Sequence, residues 1–212
     1  MYSPSHFAES RIDVLHALID AHPLGAIVTQ RADGLHADHV PFEIAAPTPE
    51  APHGILRAHI ARANSLREQD GAQAMAIFQG PSAYISPSWY EEKAVSGKVV
   101  PTYNYAVVHA HGPLRVIDDP VWLLALLSRL TARHEGRRAA PWQVADAPPA
   151  FIERLLRAIV GIEIPIARIK GKWKQSQDHP SQDLRTIAAG LSADSATAAA
   201  AAMMPLARAD DS

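Results

Sequence analysis

The chain has 212 residues, 48% of them hydrophobic and 20% charged, and its formal net charge is −2. That length is enough for one sizeable core, and that charge provides no global field to attract a polyanion such as DNA. Cysteine is absent, which excludes disulfides, thiolate metal sites and cysteine nucleophiles. The N-terminal MYSPSHFAES lacks a basic start followed by an apolar run, and no apolar stretch approaches the ~20 residues that cross a bilayer. A cytoplasmic protein without a membrane segment is expected.

The first predicted element is a helix over residues 10–21, with Ile12, Leu15, Leu18 and Ile19 on one stripe and Pro23 as its stop. Leu24 to Gln30 reads as a buried strand, and Leu35 to Ile44 as a second strand, an edge or bulged one because of Pro41. A Pro-rich loop follows. Ile55 to Ile60 is the third strand, a short helix covers about Ser65 to Asp70, and Gln73 to Gln79 is the fourth strand.

The segment from Gly80 to Pro101 is long and rich in Gly, Pro, Ser and aromatics, and it reads as a functional loop. Thr102 to His111 and Leu114 to Ile117 supply a fifth strand that continues or turns at Gly112-Pro113. An amphipathic helix follows over 119–134, capped by Asp119, with Trp122, Leu123, Leu126, Leu127 and Leu130 as its stripe. A second helix is expected near 149–159, and Gly161 to Ile169 as the last strand. Residues 1–190 are expected to form one domain, and the Ala-rich stretch 191–212 a mobile tail. About six strands at hairpin-like spacing, with helices inserted late, suit an antiparallel barrel of the α+β class better than a parallel sheet.

Three runs could carry chemistry. In the first, His59 to Ser65, Arg62 offers a planar fork suited to phosphate oxygens, while Asn64, Ser65 and free helical N–H groups add donors. The same residues also read as a capped helix beside a surface arginine, and both readings stay open. The second run, Phe78 to Tyr90, continued by Val100 to Tyr105, mixes aromatics with small polar residues. It suits a sandwiched ring, a dimer interface or a structural closure of the barrel. The third, Lys170 to His179, sets three lysines around Trp173, as an anion-and-ring site or as a solvated charge run. Alternation puts His109 and His111 on one strand face, but no third ligand at a diagnostic spacing accompanies them, so no metal site is expected.

Taken in order, MYSPSHF, HIARAN, FQGPSAYISPSWY, VPTYNY with VHAHG, and VGIEIPI with IKGKWKQSQ closely resemble the PaiB-type, FMN-binding family of negative transcriptional regulators. The similarity spans about residues 1–190. It implies an antiparallel split β-barrel with helical insertions, of the pyridoxamine-phosphate-oxidase-like kind, that works as a homodimer with FMN at the subunit interface. It also implies cofactor-binding roles for His59, Arg62, Asn64 and Ser65 at the phosphate. Tyr103, Asn104 and His109 would lie along the ring, and Lys172, Trp173, Lys174 and Gln177, near the last strand, would approach the cofactor across the dimer interface, each from the other subunit. The Arg-Leu-His signature of the vitamin B6 oxidase is absent, so that activity is not carried over. The family name implies transcriptional regulation and a DNA partner, although the two late helices are too far apart for a helix-turn-helix. The alternative is a flavin-dependent oxidoreductase, or a flavin- or haem-handling protein, using NAD(P)H. No catalytic acid or base stands out.

Overall fold

A computed structural model describes residues 1–194 and 197. In chain order the elements are β1 (Ala8–Glu9), α1 (Ile12–Ala21), β2 (Leu24–Arg31), β3 (Gly34–Pro41), β4 (Glu43–Ala45), β5 (Ile55–Ala61), β6 (Gln73–Ile85), α2 (Glu92–Val95), β7 (Thr102–Pro113), β8 (Arg115–Ile117), α3 (Pro120–Glu135), α4 (Pro149–Leu156), β9 (Ile159–Pro165), β10 (Arg168–Lys174) and α5 (Ser181–Ala193). All strand pairings of defined register are antiparallel. Among the described residues no helix is long and apolar enough to cross a membrane. The chain divides into two compact units, and β6 and β7 are long enough to contribute to both.

The first unit comprises Met1–Leu18, Gln79–Val108 and the chain from Lys170 on. Its strands are ordered β1-β10-β7-β6, with Ala8 opposite Lys172. Leu184, Ile187 and Leu191 recur at helical spacing on α5 and pack on Ala83, Ile85 and Tyr90. Gly190 is needed there, because a Cβ would stand 2.4 Å from the Trp89 ring. The aromatic stretch after β6 is thus pinned by the C-terminal helix.

The second unit comprises Ile19–Phe78 and His109–Ile169. It contains the run β6-β2-β3 and a sheet ordered β4-β5-β9-β8. Ile27, Phe42, Leu56, Phe78 and Ile162 are its fully buried core, with Phe42 and Phe78 edge to face at 5.6 Å. Asp119 caps α3 as expected, its Oδ1 accepting from Val121 N–H at 2.8 Å, and Leu123 and Leu126 turn inward.

Five expectations need correction. The fourth strand does not end at Gln79 but runs on to Ile85, because Pro81 and Ser82 keep extended geometry inside the ladder. The expected last strand over 161–169 is two strands, separated where Ile166 and Ala167 give their N–H groups to Gly54 and His111. The stretch after it, read as a charge run, is β10, and α5 was not anticipated. The short helix after Asn64 is a 3-10 turn, and Phe42 interrupts the second strand. The tail expected over 191–212 lies largely outside the described residues.

Candidate functional site

In the second unit, β5 ends where Arg62 gives its backbone N–H to Ala158. Its guanidinium forms a fork onto Asp118, Nη2 to Oδ1 at 2.6 Å and Nη1 to Oδ2 at 2.7 Å. The fork is held in place by Nε donating to the Arg157 carbonyl at 2.8 Å and Nη2 to the Ile159 carbonyl at 3.0 Å. A pocket of about 470 Å³ opens here, lined by Arg62, Asp118, Leu123, Glu153, Leu156 and Arg157. The hydrogen-bonded Arg62 holds the Asp118 carboxyl below the usual aspartate range, and Asp118 raises Arg62 in turn. The Asp118 side chain is 61% exposed, so this bidentate seat is closed by a carboxylate that solvent can reach.

The neighbouring predicted residues are engaged locally. Asn64 Oδ1 accepts from Leu66 N–H at 2.8 Å, the cap foreseen for this turn, and its Nδ2 donates to Asp38 at 2.9 Å. Ser65 Oγ accepts from Arg31 Nη1 at 2.7 Å. These bonds brace the turn that follows Arg62. His59 sits partly buried with its Nδ1 lacking a hydrogen-bond partner, and burial pushes its pKa below the ordinary histidine value. Burial does the same to His109, whose ring centroid is 6.4 Å from that of His111.

The first unit gathers most of the remaining predicted residues. Lys172 and Lys174 share one face of β10 by strand alternation. Lys172 is 9% exposed, donates to the Tyr2 carbonyl at 3.2 Å and lies over the Tyr2 and Tyr105 rings. Lys174 donates to Thr102 Oγ1 and to the Tyr103 carbonyl. Burial lowers its pKa, and nearby Lys172 adds to that while Asp178 opposes it. Asn104 is buried and accepts from Ser176 Oγ at 3.1 Å. Gln177 donates to the carbonyls of His6 and Trp173. Tyr103 is exposed and meets Tyr84 edge to face. Sequence reasoning missed Asp118 and Arg157, which share no motif with Arg62. It also left Ser176 and His179 as bystanders in the lysine run, although Asp183 lies one helical turn beyond His179.

A family model described as "Putative FMN-binding domain" matches residues 1–168. The chain belongs to this family. A protein of Emericella nidulans is 32% identical over 90% of both chains, and one of Aspergillus fumigatus is likewise 32% identical over 90% of both. The Bacillus subtilis protease synthase and sporulation protein PAI 2 is 28% identical over 88% of this chain and 87% of its own, which meets the PaiB-type resemblance read from the motifs. Among solved structures, the FAD and heme binding protein of Mycobacterium smegmatis superposes with TM-score 0.58 at 18% identity, over 83% of this chain and 77% of that one. The flavocytochrome Anf3 of Azotobacter vinelandii gives 0.54 at 14%, over 80% and 70%. At these identities the likeness is one of fold, the antiparallel split barrel with helical insertions.

FMN carries a phosphate dianion, a polar chain and a planar ring. The donors at this pocket, the Arg62 fork and a second arginine, Arg157, have the chemistry the first of these needs, while Asp118 occupies the fork and Glu153 adds a second carboxylate to the lining.

Proposed function

We propose that this protein is a redox flavoprotein that holds FMN by its phosphate at Arg62 and works as a homodimer. The observation that carries the reading is the Arg62 fork at a pocket mouth, in a chain of the FMN-binding family. FMN supplies hydride and one-electron chemistry when bound. The chain's part is to seat the phosphate on Arg62 and Arg157, brace that seat through Asn64 and Ser65, and offer His59 as a neutral polar contact. His109 remains its proposed contact along the ring.

Asp118 competes for the seat under this reading. Asp118→Asn removes the competing charge while keeping a hydrogen-bond acceptor, so FMN should bind roughly two- to fivefold more tightly, the size of a surface ion pair. Fluorescence titration of the wild type and the variant with FMN measures it. An affinity that falls in the variant counts against the seat.

The homodimer is supported by the outer face of the second unit's sheet. Ala37, Val28 and Met75 form one cross-strand row there, and His39, Ala26 and Ile77 the next. Leu35 and Leu24 flank these rows at 73% and 63% exposed. An apolar face of this kind on a sheet suits a second copy. Ala37→Lys should therefore yield monomers in light scattering; a wild type that is already monomeric sinks the dimer.

The regulatory reading comes from the PaiB-type resemblance alone, and the geometry adds nothing to it. Residues 136–148 separate α3 from α4, against the roughly three- to four-residue turn of a helix-turn-helix. Salt-sensitive retention of DNA would bring that reading forward.

A further inference from the structure

The first unit contains a cleft of about 430 Å³ whose lining does not include Arg62, although the family resemblance assigns its Lys174 to the flavin. Much of its wall, Lys174, Ser176, His179 and Asp183, lies beyond the span matched by the family model. Its wall joins four aromatic or apolar side chains, Tyr90, Val99, Val100 and Pro180, to eight polar or charged ones, and a volume of this size suits a small molecule.

Charge decides what the cleft can take. Lys174 is a partly buried ammonium whose hydrogen-bond partners, Thr102 and the Tyr103 carbonyl, are both neutral. Among the described residues, neither it nor Lys172 has a carboxylate within ion-pair distance. A buried cation left without an anion is costly, and a ligand carboxylate would relieve that cost. Three carboxylates also line the cleft: Asp183 accepts from Glu91 N–H at 3.1 Å and faces His179 Nδ1 at 3.7 Å, Glu92 is bonded to Ser96 Oγ, and Asp178, exposed and beyond ion-pair distance, still acts on the Lys174 charge. Lys98 adds a second cation to the lining.

Shape decides the rest. The Tyr90 and His179 rings stack with centroids 4.9 Å apart and 31° from parallel; Tyr90 is buried and backs His179, whose side chain is 36% exposed and lines the cleft beside Val99, Val100 and Pro180. Ser176 holds φ at 61°, a left-handed conformation unusual for serine, and from there donates to Asn104. That strain turns the chain out of β10 and into the cleft wall. We propose that this cleft binds a small planar carboxylate, its anionic end on Lys174 and its ring against His179, Val99 and Val100.

The test titrates the full-length protein, with FMN present at saturation and absent, against benzoate, salicylate and nicotinate by calorimetry. Benzamide, nicotinamide and inorganic phosphate serve as controls. At least one carboxylate should bind with Kd below about 1 mM. The amides should bind about tenfold more weakly or worse, Lys174→Gln should lose about tenfold, and Lys174→Arg should recover binding. Circular dichroism melts establish that each variant is folded. The proposal is overturned if none of the three carboxylates binds, if Lys174→Gln leaves their binding unchanged, or if inorganic phosphate binds as well as they do. Saturating FMN that abolishes carboxylate binding also overturns it, because the cleft then belongs to the flavin. A protein that binds the carboxylate but takes up no FMN sinks the flavin reading alone.

Discussion

Arg62→Ala should weaken FMN binding by roughly ten- to a hundredfold, the loss expected for a charge-assisted bidentate contact to phosphate. The fork is preorganised, since the carbonyls of Arg157 and Ile159 fix its plane before any ligand arrives. Little side-chain entropy is then left to lose on binding. Arg62→Lys keeps a charge but not the fork, so it should recover only part of the affinity. The same two carbonyl bonds tie β5 to the start of β9, so both variants need a thermal melt beside the flavin titration. Affinity that stays at the wild-type level in a folded Arg62→Ala protein would make the Arg62–Asp118 pair purely structural. Asp118→Asn moves affinity the opposite way, and no general loss of stability produces that pair of signs.

Much of the fold was legible because it is written locally. Asp119-Pro120 followed by a leucine stripe can hardly be anything but a capped helix, and α3 begins where those residues put it. β2 and β5 are apolar runs bounded by turn residues and fall within a residue of their expected ends. What failed was any segment whose role depends on a distant partner. Lys170 to Lys174 looks like a solvated charge run, and only its pairing with β1 and β7 makes it a strand that buries Lys172. The stripe of Leu184, Ile187 and Leu191 needed the aromatic stretch after β6 as its counterface before α5 could be inferred.

The site divides in the same way. Around Arg62 the structure has a guanidinium fork and a capping asparagine, features that propensity and donor geometry make legible in single residues, and it is the phosphate role that stays a proposal. Their partners were invisible. Asp118 comes from 56 residues away and converts a free fork into a closed one. Likewise, Lys174 was chosen for its charge, yet its character comes chiefly from burial, which spacing does not reveal.

Gly112→Ala should be the most disruptive single methyl in the second unit. Sequence left open whether the chain turns at Gly112-Pro113, but β7 runs straight through to Pro113. The glycine is there for space: a Cβ would stand 2.1 Å from the Pro165 carbonyl oxygen and 3.0 Å from Ile164 Cγ2. The first of these is backbone at the end of β9, held by the Ile166 and Ala167 hydrogen bonds to Gly54 and His111, so it cannot swing aside as a side chain would. Relief requires β7 and the end of β9 to separate, which would stretch the Ala167 bond and loosen the packing of Ile164. A cost of about 3 kcal/mol, at the upper end of what overpacking incurs, is expected. Urea unfolding should show it as a lower midpoint with an unchanged slope. Ala110→Gly, two residues back on the same face, adds no atom and should cost only about 1 kcal/mol. Equal midpoint shifts in the two variants would mean that β7 tolerates the added methyl and that the approach of β9 is not what demands glycine.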